Sequence, residues 1–308
     1  MSRIFIASKG DRAGMARLFR AALPEFEVLT DLAPGDDRPV PYIVVGRPDP
    51  GVVRSVPGLQ VVLSLNAGIE HLLASGEVPQ DIPIVRLVDE GLAAGMAEWV
   101  LAHVLGWHRN ILAYRDEQPQ RRWAPKAEKL ARERVVTVLG AGALGGPVAD
   151  HLLRFGFQTR VWSRSGRAID GAAAFAHDHL AEAVTGADVL VNLLPLTPDT
   201  RDLIDAGLLA RLAPGAFLVN GARGGHVVDD DLIAALDSGH LSGAALDVFR
   251  TEPLPPEHPF WTHPKILVSP HVAAPTHMDI AVAEMVANIR RHMAGTPMLN
   301  VVDRTAGY

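Results

Sequence analysis

Three side chains in the last third of the chain are of types that carry acid–base and anion chemistry. Arg223 follows the apolar run AFLVN, Glu252 follows GAALDV, and His271 follows ILVSP. An arginine can hold a carboxylate through two parallel hydrogen bonds, and a histidine exchanges a proton near neutral pH. A glutamate beside that histidine favours the imidazolium. Each also has a plain reading: a helix-terminus arginine, a surface glutamate, a capped histidine. What joins them is placement. Each lies just past a short apolar run that reads as a strand, at the edge where open α/β sheets bind ligands.

The element that must organise that edge runs from Arg134 to Ser165. Val135, Val136, Val138 and Leu139 form a near-continuous apolar run, as a strand buried on both faces requires. Gly140, Gly142 and Gly145 follow in G-x-G-x-x-G spacing, with Ala143 and Leu144 between the last two. Pro147 to Phe155 has helical periodicity, and Gln158 to Ser163 reads as the next strand. Strand, glycine turn, helix and strand within ~30 residues is a dinucleotide-binding fingerprint. Gly140 serves the tight turn, Gly142 the approach of backbone to a pyrophosphate, and Gly145 the packing of helix on strand. The helix N-terminus offers N–H groups and its positive dipole end to the phosphates. NAD enzymes of this type place an acid at the end of the second strand, whereas an arginine there suits a 2′-phosphate. Here that end reads Ser163-Arg164-Ser165, with Arg167 following and no carboxylate, which predicts NADPH as the preferred cofactor, with NADH possible. Beside a bound nicotinamide, Arg223, Glu252 and His271 suit hydride transfer to the carbonyl of a 2-oxo acid.

The rest of the chain fits an α/β protein of two domains. Strands are expected at Arg3–Ala7, Tyr42–Val45, Val61–Ser64 and Ile84–Leu87, with a helix at Arg12–Leu23. Gly91–Arg115 reads as one long helix, apolar on most sides over Glu98–Trp107 and so buried between layers. Further strands are expected at Asp188–Leu194, Ala216–Asn220, Gly243–Val248 and Ile266–Ser269, with helices at Asp230–Leu236 and Met278–Met293. The predicted fold is two Rossmann-like or flavodoxin-like domains. A doubly wound NAD(P)-binding sheet, residues 100–272, is inserted into a substrate-binding domain made of 1–99 and 273–308.

Composition excludes several classes. At 308 residues, 48% hydrophobic and 21% charged, the chain can bury a full core. A formal net charge of −6 argues against a nucleic-acid partner. Zero cysteines rules out disulfides and thiolate metal sites and fits the cytoplasm. The apolar run in MSRIFIASKGDR is too short for a signal peptide, and no stretch is long enough to span a membrane. His177-Asp178-His179 hints at a metal, but no histidine and carboxylate set at helical ligand spacing accompanies it, and no metal is expected. The loop Asn66-Ala67-Gly68 after VVLS could hold a carboxylate through backbone N–H groups; from spacing alone it reads as an ordinary strand–helix connection.

The sequence resembles the D-isomer-specific 2-hydroxyacid dehydrogenase family from about Ile43 onward. The likeness is densest in NLLPLTPDTRDLI, in NGARGGHVVDDDLIAALDSGHLSGAALDVFRTEPLPPEHPFW, in VSPHVAAPT and in the terminal VDRTAGY. It implies reduction of a small 2-oxo acid (glyoxylate, hydroxypyruvate or a larger analogue) to the 2-hydroxy acid. Arg223 would orient the carboxylate and polarise the carbonyl, and His271 would donate the proton with Glu252 as its partner. The resemblance also assigns Asn66, Ala67 and Gly68 to the substrate carboxylate, against the plainer reading of that loop. It places Asp247 near the nicotinamide carboxamide, Ala222 and His271 beside the cofactor, and Leu194, Pro195 and Thr200 at its adenosine half. It implies a homodimer, with the long helix and Ala113–Trp123 as contacts. One position departs: Gly46 stands where close relatives carry a tryptophan, which widens the expected pocket. Two rivals remain open: NAD-dependent oxidation of a D-2-hydroxy acid, and a nucleotide-sensing binding protein such as the corepressors that share this fold.

Overall fold

A computed structural model describes residues 1–305 and 307; Ala306 and Tyr308, the final residues of the VDRTAGY motif apart from Gly307, lie outside the described residues. The chain divides into two compact units, Met1–Gly91 with Thr276–Tyr308, and Leu92–Pro275. These divisions fall at 91/92 and 275/276, where the sequence places them at 99/100 and 272/273.

The first unit opens β1 (Ser2–Ile6), α1 (Arg12–Ala22), β2 (Phe26–Leu29), β3 (Tyr42–Val45), β4 (Val61–Ser64), α2 (Glu70–Ser75) and β5 (Ile84–Val85). Its five parallel strands are ordered β2-β1-β3-β4-β5, the flavodoxin-like arrangement. Strand β2 is absent from the sequence expectation, since its four residues FEVL give too short an alternation to stand out. Helix α1 is capped by the Asp11 carboxylate, which accepts from the Gly14 N–H at 2.7 Å. The C-terminal helix Met278–Met293 belongs to this unit and buries Val282, Met285, Val286 and Ile289.

Helix α3 (Glu90–His108) leads from the first unit into the second, and α4 (Ile111–Glu117) follows. The single helix expected over Gly91–Arg115 is thus two helices. Asn110 sits in the left-handed region at φ 56°, which ends one helix and starts the next. Then come β6 (Val135–Leu139), α5 (Gly145–Arg154), β7 (Gln158–Trp162), β8 (Ala173–Phe175), α6 (Leu180–Val184), β9 (Val189–Asn192) and α7 (Ala206–Leu209). The unit closes with β10 (Ala216–Asn220), α8 (Asp229–Asp237), β11 (Leu241–Leu246) and β12 (Ile266–Val268). Seven parallel strands run β12-β11-β10-β9-β6-β7-β8, so the order reverses between β6 and β9. That is the doubly wound pattern, and the glycine turn leaves β6 at its switch point. Strands β6, β9 and β10 are buried on both faces, which explains their unbroken apolar character. One face packs on Met96, Val100 and Val104 of α3 and on Val148 and Leu152 of α5; the other packs on Leu209, Leu232 and Leu236.

The three motif glycines differ in what surrounds them. Gly140 has φ 109°, and a Cβ there would lie 2.8 Å from the Leu193 carbonyl oxygen. A Cβ on Gly145 would lie 1.8 Å from the Gly140 carbonyl oxygen, whereas one on Gly142 would meet nothing within 4 Å. Gly145→Ala should therefore cost about 1–3 kcal/mol of stability, as overpacking does. Gly142→Ala should stay within about 0.5 kcal/mol of the parent in urea unfolding; equal losses for the two would contradict this packing. A second expectation concerns His108, buried at the end of α3. Burial, with Arg134 and Arg109 close by, pushes its imidazole below the ordinary value. The unfolded chain then binds the extra proton first, so stability is full at neutral pH and falls as pH drops below about 6.5. His108→Gln should lose less stability than the parent between about pH 7.5 and 5.5, and identical losses would refute the assignment.

Candidate active site

The C-terminal edge of the seven-stranded sheet gathers the residues singled out by their chemistry. The Asn220 backbone ends β10, and the turn Gly221–Arg223 leaves it. That turn packs closely under α3: a Cβ at residue 221 would lie 2.9 Å from Met96 Sδ and 3.4 Å from the Trp99 ring. Gly224 is under a sharper constraint, since a Cβ there would be 1.9 Å from the Phe249 carbonyl carbon. The β10 and β11 exits are thus in direct backbone contact. Arg223 is half-buried, and its Nη1 donates to the Ala222 carbonyl at 2.7 Å.

Past β11, the Glu252 carboxylate is fixed at both oxygens. Oε1 accepts from the Phe249 N–H at 3.0 Å, and Oε2 meets His271 Nδ1 at 2.7 Å. The expected Glu–His pairing is therefore formed. His271 itself has φ 55°, in the left-handed region that an ordinary residue occupies only when held there. Asp247 does the holding. Its backbone carbonyl accepts from the His271 N–H at 2.8 Å. Its buried carboxylate accepts from Ser269 Oγ at 2.6 Å, the Val272 N–H at 2.9 Å and the Ala273 N–H at 2.8 Å. On α3, His103 stacks edge-on with Trp99 and lies within the field of Asp247; burial lowers its affinity for a proton and Asp247 partly opposes that. Nothing in the local sequence around His103 signals its link to Asp247.

At the end of β7, Ser163 Oγ accepts from the Arg167 N–H at 3.0 Å, and Arg167 Nη1 reaches back to the Ala141 carbonyl at 3.2 Å. A guanidinium therefore touches the glycine turn itself. Arg164 and Ser165 are exposed beside it, and no carboxylate stands at the strand end. Helix α5 has no side-chain cap at its N-terminus. Among Leu194, Pro195 and Thr200, the Thr200 hydroxyl donates to the Pro195 carbonyl at 2.8 Å and closes that turn.

Asn66, Ala67 and Gly68 belong to the first unit, between β4 and α2. The Asn66 N–H donates to Ser64 Oγ at 3.1 Å. Gly46 follows β3, its carbonyl lying 2.8 Å from His71 Nε2; a Cβ there would come within 3.3 Å of Ser8 Oγ. His177–His179 is an exposed turn in which His179 pairs with Glu182 at 3.0 Å. Among the described residues, no group of three His, Cys, Asp or Glu side chains could hold a metal ion, and no helix is long and apolar enough to cross a membrane.

Residues 101–273 match the family model described as the NAD-binding domain of D-isomer specific 2-hydroxyacid dehydrogenase. A glyoxylate/hydroxypyruvate reductase A of Serratia proteamaculans is 43% identical over 281 residues, covering 89% of this chain and 90% of the relative. A D-isomer specific 2-hydroxyacid dehydrogenase of Xanthobacter autotrophicus Py2, solved with NADPH and MES, superposes with a TM-score of 0.94 at 38% identity, covering 100% of this chain and 99% of the other. An NADPH-dependent glyoxylate/hydroxypyruvate reductase of Sinorhizobium meliloti, solved with NADP and sulfate, also gives 0.94, at 36% identity and full coverage of both chains (100% each). With the glycine turn and the late-strand residues in the geometry above, the chain belongs to the D-isomer specific 2-hydroxyacid dehydrogenase family.

Proposed function

We propose that this protein is an NADPH-dependent reductase of small 2-oxo acids, acting on glyoxylate, hydroxypyruvate or a larger analogue. The observation that carries this reading is the His271–Glu252 contact of 2.7 Å on the sheet edge that also bears the glycine turn. Reduction adds a hydride to C2 of the acid and a proton to its carbonyl oxygen. In the imidazolium form, His271 keeps one proton on Nδ1 against Glu252 and delivers the other from Nε2. Glu252 fixes the ring orientation so that Nδ1 retains its hydrogen bond throughout. Arg223 holds the carboxylate and polarises the carbonyl, and Asn66, Ala67 and Gly68 keep the substrate-binding role that the resemblance implies.

The residues present fit a phosphorylated dinucleotide. Gly142 leaves open space at the turn, and Ser163, Arg164, Ser165 and Arg167 offer hydroxyls and guanidinium groups with no acid among them. A 2′-phosphate is attracted there, whereas the bare ribose of NADH lacks its usual acidic partner. When bound, the nicotinamide supplies the hydride. Asp247 and Ala222 are assigned to its surroundings, and Leu194, Pro195 and Thr200 to the adenosine half. The relatives solved with NADPH and NADP support this assignment. The departure at Gly46 supports the inclusion of larger substrates, because this position lacks the tryptophan side chain that the resemblance would place there.

NADPH oxidation measured with glyoxylate, hydroxypyruvate and larger 2-oxo acids tests the reading. We expect turnover with at least one acid and a higher kcat/KM for NADPH than for NADH. Arg164→Asp should move that preference toward NADH, and His271→Ala should lower kcat by ~10²–10⁴-fold while NADPH still binds. No turnover across the panel would overturn the enzyme reading in favour of nucleotide sensing; an NADH preference would overturn the cofactor reading. We extend the proposal to a cytoplasmic homodimer with the long helix and Ala113–Trp123 as contacts, supported by the exposure of Trp123 in that segment. Sedimentation should give a dimer mass at micromolar concentration, and a monomer mass would refute it.

A further inference from the structure

Strands β9 and β10 both end in a fully buried asparagine, and Asn192 and Asn220 are register partners. Asn192 Nδ2 donates to Asn220 Oδ1 at 3.0 Å, and Asn192 Oδ1 accepts from the Leu194 N–H at 3.3 Å. Asn220 Nδ2 donates to the Arg223 carbonyl at 3.1 Å. The circuit is completed by His226, which has no exposed surface. Its Nδ1 lies 3.1 Å from the Arg223 carbonyl oxygen and its Nε2 lies 3.2 Å from the Pro195 carbonyl oxygen. The Arg223 carbonyl already accepts from Asn220 Nδ2 and from the His226 N–H, whereas the Pro195 carbonyl has the Thr200 hydroxyl. A ring proton on Nε2 therefore has the better acceptor in Pro195.

We propose that His226 is a positioning residue for the reduction. Its ring Nε2–H donates to the Pro195 carbonyl while its backbone N–H donates to the Arg223 carbonyl, and this ties the Arg223 turn to the Leu194–Pro195 segment and sets where the guanidinium starts. This inference rests on the roles given above to Arg223 and to that segment. The far end of the same loop is held through Asp202 N–H to Gly225 carbonyl at 3.0 Å and Ile204 N–H to His226 carbonyl at 2.8 Å, and by the Arg250 guanidinium, which donates to the Asp202 carboxylate and the Val227 carbonyl. Side-chain contact at the near end is what His226 adds. The two strand exits that it bridges are the ones assigned to the cofactor and to the substrate carboxylate. A buried ring N–H must find an acceptor, and here it is the carbonyl of a residue at the site, Pro195.

The test compares His226→Leu, which keeps bulk and removes the hydrogen bonds, with His226→Gln, whose amide can still donate. With NADPH saturating, the Leu variant should raise KM for the 2-oxo acid and lower kcat/KM by roughly 10- to 100-fold, as misplacement of a binding group does. Its Kd for NADPH should stay within about threefold, and the Gln variant should recover most of the loss. A purely structural role would instead lower the folded fraction and leave KM unchanged, and that outcome overturns the proposal. Hydrogen–deuterium exchange gives a readout independent of turnover and of the Leu variant's folding, since the Gln variant can be compared alone. Peptides covering 193–197 and 221–227 should exchange faster together in the Leu variant, and partly so in the Gln variant. Unchanged exchange in both segments overturns the clamp. A parent protein that reduces no 2-oxo acid overturns the functional reading, and the clamp is then decided by exchange.

Discussion

The buried carboxylate of Asp247 is the constraint on which the site depends. A charge out of water has to be met by donors, and leaving one unmet costs several kcal/mol. Asp247 meets this by gathering the Ser269 hydroxyl and the Val272 and Ala273 N–H groups, while its own carbonyl takes the His271 N–H. Those donors come from the segment after β12, so one side chain at the end of β11 folds the neighbouring exit onto itself. The left-handed backbone of His271 is then a consequence of that gathering. With the backbone set, Glu252 fixes the ring, and its other oxygen is anchored by Phe249 N–H. Phe249 in turn abuts Gly224, which sets how near the Arg223 turn can come.

Polar groups at the other strand exits follow the same logic. Asn192 and Asn220 sit at ends of strands otherwise buried among aliphatic side chains, and they satisfy one another and the turns that leave them. Close backbone approach is permitted by glycine at 140, 145, 221 and 224, each beside an atom that a Cβ would strike. The one motif glycine without such a neighbour, Gly142, is the one whose role concerns a ligand. The sheet edge is therefore rigid where the protein meets itself and open where it is to meet a dinucleotide. That division fits a site in which charge and hydrogen-bond donors are fixed before the substrate arrives.

Much of this was legible in the residues because it rests on short-range pattern. The glycine spacing between two apolar runs gave the switch-point turn, and the unbroken aliphatic runs at Val135, Val189 and Ala216 gave central parallel strands. The residue types after those runs gave Arg223, Glu252 and His271 as candidates. What escaped depends on partners distant in sequence or on single backbone angles. The donors to Asp247 lie beyond a further strand, and the ring of His226 meets Pro195 across a loop. Strands β2 and β8 are too short to show a period. The break in the long helix is one left-handed asparagine in an otherwise helical pattern. The repeated Val-Asn at the ends of β9 and β10 was a visible signal for the buried pair, and its meaning appears only when the strands are aligned.

In the proposed function, this sheet edge performs hydride transfer as well as holding a nucleotide. The most direct measurement is mass spectrometry of the product formed from a 2-oxo acid and NADPH deuterated at C4 of the nicotinamide on the transferring face. The expected product is a 2-hydroxy acid carrying one deuterium at C2, with NADP formed in equal amount. NADPH bound without formation of a labelled product, with both C4 faces and the full range of acids tried, would contradict it.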